Sequence, residues 1–263
     1  MNVIGDIRNA LALMARAPQL WLGLCLVATL AEFLLISLLS VFGHFLTMVL
    51  FGYFAIVMAT HNCSGTFSPA RIDWSLRASQ FGAVFVSGAF GMAVFLLVLL
   101  PFGFVFMLAL GGGAEPGMDQ AEAVNEMLTL MERAYSSPGL LLFMFAGTAI
   151  AGAAGASRFV FIPVIAIAWQ TDFTAARATL LDRFRGLRTR VFPVFALCYM
   201  ASMLVGFAAG GTGQSTVGVF VSTFAGLAIG NALPLVAAVV MLYRASTGGG
   251  SPRVVSVNGE NQE

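Results

Sequence analysis

Apolar residues come along this chain in long runs, not in the alternation of a strand or the narrow stripe of a water-exposed helix. The runs cover about 20–42, 45–60, 83–110, 139–169, 191–209 and 216–243. A bilayer is crossed by roughly 20 apolar residues in a helix. The pattern therefore predicts an all-α, polytopic membrane protein with six transmembrane helices. A tight turn around Gly43 and His44 separates the first two, and Trp21 marks an interfacial end of the first. Pro101, Pro163 and Pro234 fall inside apolar runs and are expected to kink their helices. The 139–169 run is overlong and should tilt or break near Pro163.

The polar stretches between the runs carry the remaining pattern. Residues 2–16 set Val3, Ile7, Ala10, Leu11 and Met14 at helical spacing with Asp6, Arg8 and Arg16 among them, which reads as an amphipathic helix lying at the interface. Ser68 followed by Pro69 is a helix start before the third span. Residues 111–138 form an acidic loop, with Asp119 and Glu122 as a capping box for a short helix from about Met118 to Ala134. The tail 244–263 is polar and glycine-rich and is expected to be disordered. The motif F-[ST]-x-A-R occurs at Phe67–Arg71 and again at Phe173–Arg177, as if an interfacial helix plus two spans were repeated.

Charge then orients the chain. Only 10% of the 263 residues are charged, 59% are hydrophobic and the mean hydropathy is +0.91. A water-soluble domain carries about 25% charged residues. Segments 1–19, 61–80, 170–190 and 244–263 hold eleven of the thirteen arginines, and there is no lysine. Arg133 stands alone among the acids of the 111–138 loop, and Arg158 lies within a run. Basic loops stay on the cytoplasmic side, so both termini are expected there and the acidic loop on the periplasmic side. No small-residue cleavage site ends the first run, which is expected to be a retained span. A net charge of +1 excludes nucleic acid as a partner. Cys25, Cys63 and Cys198 are odd in number and widely spaced, which points to neither a disulfide framework nor a zinc site.

Candidate chemistry is sparse. Glu32 and Arg158 are ionisable residues inside spans, where a charge must be paired or face a polar interior. Both sit near mid-depth in this reading, so an intramembrane ion pair is open, either as a binding site or as a packing device. Asn231 precedes Pro234 in the sixth span, a pairing that frees a backbone carbonyl or anchors the helix to a neighbour. Arg177, Arg183, Arg185, Arg188 and Arg190 surround Phe173, Ala176, Leu180, Phe184 and Leu187 in an amphipathic segment suited to lipid headgroups or a partner. Gly147, Ala151 and Gly155, Gly206 and Gly210, and Gly226 and Gly230 recur at the four-residue spacing that brings helix backbones together, within the bundle or between copies. Asp119, Glu122 and Glu126 are too few for a hard-cation site, so no metal and no cofactor are expected. His44 and His61 fall on opposite sides, and no hydrolase, protease or phosphate-loop motif is present, so no catalytic residues are assigned.

Arg158, Pro163, Ala176, Leu180, Leu181, Gly186 and Arg188 together resemble a stretch of the membrane domain attached to some bacterial glycerophosphoryl diester phosphodiesterases and of related six-helix bacterial membrane proteins. The match covers about 40 residues plus the six-span layout. An acidic residue usual after the proline is replaced by Trp169 and Gln170, with Asp172 following. The resemblance implies a six-helix fold in a bacterial inner membrane. It does not imply phosphodiesterase activity, because the soluble catalytic domain is not among these residues. The expected function is that of a non-catalytic scaffold, assembly or regulatory subunit. Its partners would be membrane lipids, another integral membrane protein or a second copy. The alternative is a small-solute or lipid transporter built on Glu32 and Arg158. A scaffold should have a filled core and an apolar lateral groove, and a transporter a continuous polar cavity at mid-depth.

Overall fold

A computed structural model describes residues 2–64, 74–110, 129, 137–210 and 216–247. Among these residues the secondary structure is helical throughout. The helices are α1 (Val3–Met14), α2 (Pro18–Ser64), α3 (Trp74–Leu110), α4 (Pro138–Phe159), α5 (Phe161–Ala168), α6 (Phe173–Arg183), α7 (Leu187–Gly210), α8 (Thr216–Ala225) and α9 (Leu233–Ser246), with a π-helical segment Gly226–Ala232 joining the last two. Six stretches are long and apolar enough to cross a membrane: Pro18–Leu35, Phe42–Cys63, Ser75–Phe106, Pro138–Ala168, Leu187–Ala209 and Thr216–Ser246. The chain is thus an all-helical, multi-pass membrane protein.

Several boundaries differ from those read in the sequence, each for a local reason. The first two spans are assigned to one 47-residue helix, α2. It cannot be straight. Glu32 and His44 are hydrogen-bonded to each other, and a β-carbon on Gly43 would overlap the Leu35 carbonyl, whereas twelve residues of straight helix span about 18 Å. The chain therefore reverses just before Gly43, and helical hydrogen bonding persists through the reversal. The overlong fourth run is interrupted at Val160, between α4 and α5, although Val160 itself keeps a helical backbone. Pro163 has no N–H to return to the Phe159 carbonyl, and its ring crowds that carbonyl. In the sixth span the Leu233 N–H reaches back five residues to the Ala228 carbonyl. The added residue in that turn shifts the helix just ahead of Pro234. Pro101 lies inside α3 without interrupting it, and so does Pro193 inside α7, a proline the sequence reading passed over. The last helix extends to Ser246, into the stretch expected to be disordered. The remainder of that tail, the acidic loop with its short helix, Ser68–Pro69 and the first copy of the repeated motif lie outside the described residues.

Polar contacts fix one end of the bundle. Asp6 of α1 is buried, and its carboxylate accepts two hydrogen bonds from Arg190 at the start of α7, Nε to Oδ2 at 3.2 Å and Nη2 to Oδ1 at 3.1 Å. Arg244 near the end of α9 approaches the same Oδ1 at 3.7 Å. The beginning of the chain, the segment before α7 and the end of α9 therefore meet at one end. Gln80 of α3, fully buried, accepts from Arg77 at 3.1 Å and donates to the Ala166 carbonyl of α5 at 3.4 Å, which brings the start of α3 close by. Asp6 was expected on the polar side of an interfacial helix. It is instead on the inner face of α1 with Ala10 and Leu13, while Leu11 is half exposed.

The glycine spacing is consumed inside the chain. A β-carbon on Gly155 of α4 would overlap the Gly91 carbonyl of α3, one on Gly147 would meet the Phe102 ring at 2.8 Å, and one on Gly230 would meet Ser202 at 2.9 Å. A β-carbon on Gly206 would meet Ser222 at 2.5 Å. These faces bring α3 to α4, α7 to α8, and α7 to the π segment. The core proper centres on α5, where Phe161 to Ile167 are all buried, and on the inner face of α9.

Candidate functional site

The six spans do not fill the space between them. A cavity of about 520 Å³ lies among them and is lined from every one. That size is within the range of small-molecule sites, roughly 300–1,000 Å³. Phe45, Met48, Val49, Met92 and Phe95 make one wall apolar, while Gly52, Gly88 and Gly91 keep the backbones of α2 and α3 flush with it. Tyr199 and Phe195, whose rings pack 5.8 Å apart, form the opposite wall on α7.

Its polar groups are few and placed. Glu32 and His44, facing each other across the reversal of α2, both line the cavity, and His44 Nδ1 pairs with Glu32 Oε1. The Glu32 side chain is 5% exposed and that of His44 43%. The other carboxylate oxygen, Oε2, is buried and has no partner in the structure, and the same holds for Ser87 Oγ on α3. In an apolar setting a polar atom without a partner costs free energy comparable to a lost hydrogen bond. Both residues line the cavity, but these two atoms are themselves shielded from it, so a ligand's polar groups would reach them only on rotation of the side chains. Asn231, in the π segment, also lines it; its Nδ2 donates to the Gly226 carbonyl at 3.0 Å, closing the wide turn.

Glu32 and Arg158 are not paired. Glu32 is hydrogen-bonded to His44 instead. Arg158 is exposed at the far end of α4, where it lines a second, surface cleft with Arg185 and Arg188. The sequence reading paired two charges by counting residues along ideal spans. Of the other arginines, Arg177 is exposed, Arg183 is exposed beside Asp182 at 3.8 Å, and Arg190 is taken up by Asp6. His44 was missed as a site residue; its place just after a turn, twelve residues beyond an intramembrane acid, was the available signal. Cys25 and Cys198 are buried and free, and among the described residues no three His, Cys, Asp or Glu side chains come together in a metal-binding arrangement.

Fold and cavity together define a class: an all-helical membrane bundle with an open, mostly apolar cavity among its spans. Compared with known proteins, the chain matches no family model, no curated protein and no solved structure.

Proposed function

We propose that this protein binds an amphipathic small molecule, a lipid or lipid-like solute, between its spans, as a carrier or transporter would, without chemistry of its own. The observation that carries this reading is the cavity lined by all six spans with a buried, half-partnered carboxylate at one end. Apolar walls suit hydrocarbon, and rotation of the Glu32 carboxylate would offer its unpartnered oxygen to a hydrogen-bond donor on the ligand, a hydroxyl or an amine. His44 takes the place that Arg158 held in the sequence reading. A scaffold was expected to have a filled core and an apolar lateral groove, and a transporter a continuous polar cavity, whereas the cavity here is mostly apolar. The cavity and the internal use of Gly147, Gly155, Gly206 and Gly230 favour the binding reading over the scaffold. The setting we assign is a bacterial inner membrane with both termini cytoplasmic. Its supports are the arginine distribution and the resemblance of the Arg158–Arg188 stretch to the phosphodiesterase-associated membrane domain.

Purification in native lipid discs followed by native mass spectrometry tests the binding reading. A bound molecule should accompany the wild-type chain and be lost in both Glu32→Gln and Gly52→Leu. Gly52 faces the cavity, and a β-carbon there has its nearest neighbour at 3.7 Å, so the longer side chain fills the cavity without a clash at its root. Retention of the same molecule in both variants, or a wild-type chain that carries nothing, would sink the idea.

A further inference from the structure

Three guanidinium groups converge where no acid answers them. Arg158 at the end of α4, Arg185 in the turn after α6 and Arg188 in the first turn of α7 line one surface cleft of about 660 Å³, with Ser157, Phe159 and Thr189 completing it. Arg158 and Arg185 are exposed, whereas Arg188 is partly buried, and its Nε lies in the interior without a hydrogen-bond partner. The charges of Arg185, Arg158 and Arg177 all bear on Arg188. Among the described residues the acids are otherwise engaged or distant: Asp6 with Arg190 and Arg244, Asp182 with Arg183, Asp172 with the Ala175 N–H, and Glu32 with His44.

Ordinary basic flanking of a span does not need this arrangement. Arg183 and Arg177 supply positive charge while pointing outward, free to be hydrated. Arg158, by contrast, is brought to Arg185 and Arg188 from a different helix, across about thirty residues of sequence, and like charges gathered in one partly desolvated cleft repel unless an anion sits among them. Guanidinium forks match the oxygens of a phosphate in paired hydrogen bonds. The cleft is also at the bundle end where Arg190, two residues beyond Arg188, meets Asp6, the level at which phospholipid headgroups lie if the spans are set in a bilayer. Phe159 lines this cleft and the central cavity alike, so an apolar chain attached to the phosphate has an aromatic surface beside it.

We propose that Arg158, Arg185 and Arg188 form a binding site for a phosphate group, either the monoester headgroup of an anionic lipid or a free phosphate ion. The site is distinct from the Glu32–His44 end of the cavity and stands or falls separately from it. The full chain in dodecyl maltoside is titrated with dioctanoyl phosphatidic acid, dioctanoylglycerol and inorganic phosphate, and binding is read by native mass spectrometry. Saturable binding of phosphatidic acid but not of dioctanoylglycerol is expected. Arg185→Gln and Arg158→Gln should each weaken it about tenfold or more, the effect of losing a charge-assisted contact, and Arg183→Gln should leave it unchanged. Arg185 is exposed, so its variant tests the site without burdening the fold. Inorganic phosphate binding as tightly as the lipid would identify the ion as the ligand; binding of the lipid alone would identify the headgroup. Equal binding of dioctanoylglycerol, absence of binding by either phosphate probe, or equal losses in Arg183→Gln and Arg185→Gln would overturn the proposal.

Discussion

Adding one methyl group at Gly155 should destabilise the bundle, and adding one at Gly91, its neighbour across the α3–α4 contact, should not. The two helices form the most extensive pair in the protein, and they touch here backbone to backbone. A β-carbon on Gly155 would fall on the Gly91 carbonyl oxygen, with the Gly91 carbonyl carbon at 3.1 Å and the Phe95 amide nitrogen at 3.4 Å. All three are main-chain atoms, so no rotamer change relieves the overlap and α3 must shift. Overpacking of this kind costs about 1–3 kcal/mol. Alanine in place of glycine in a helix returns about 0.5–1 kcal/mol, leaving a net loss of roughly 1–2 kcal/mol from these two magnitudes. In the opposite direction, a β-carbon on Gly91 would sit 3.4 Å from the Gly155 oxygen and 3.6 Å from its carbon. That is contact without overlap, so Gly91→Ala should be neutral or stabilising by up to about 1 kcal/mol. The assay is the thermal midpoint of a fluorescent-protein fusion followed by size exclusion. If the Gly155→Ala midpoint equals or exceeds that of Gly91→Ala, the reasoning from backbone contact is wrong.

Two further outcomes follow from the ends of the bundle. Asp6→Asn should cost about 2 kcal/mol, less than a fully buried pair because its partners are over a third exposed. Arg244→Gln, at 3.7 Å from Asp6, should cost about 0.5 kcal/mol or less; the same thermal assay compares them, and a larger loss for Arg244→Gln would contradict the geometry. An alkaline phosphatase inserted within residues 111–128 should be active, and a fluorescent protein fused at the C-terminus should fluoresce, as the arginine asymmetry requires. An inactive phosphatase there, with an active one at the C-terminus, would invert the assigned orientation.

Much of the fold was legible because its cause is local. A run such as 83–110 or 216–243 has too few polar groups to remain in water, whatever its neighbours do. The arginine segregation is also a property of the chain alone. The candidate site was legible only in fragments. Glu32 and Asn231 stood out as polar residues within apolar runs, and both line the cavity, yet His44 was not seen as the partner of Glu32, and Asp6 was placed on the wrong face of its helix. Hydrophobic periodicity tells a soluble helix's inner face from its outer face. A spanning helix is apolar on every side, so that signal disappears, and rotation about the helix axis, which selects lipid or core for each residue, is left unspecified.

The sequence by itself determined that this protein is a six-span helical bundle, because the transfer of an apolar run out of water depends on that run and little else. Only the tertiary structure decided that Glu32 meets His44, that Asp6 meets Arg190 across 184 positions, that Arg158 joins Arg185 and Arg188, and that a cavity remains between the spans. Those contacts depend on where α2 reverses, where α4 breaks and how closely glycine backbones approach, and each of these is set by packing between helices.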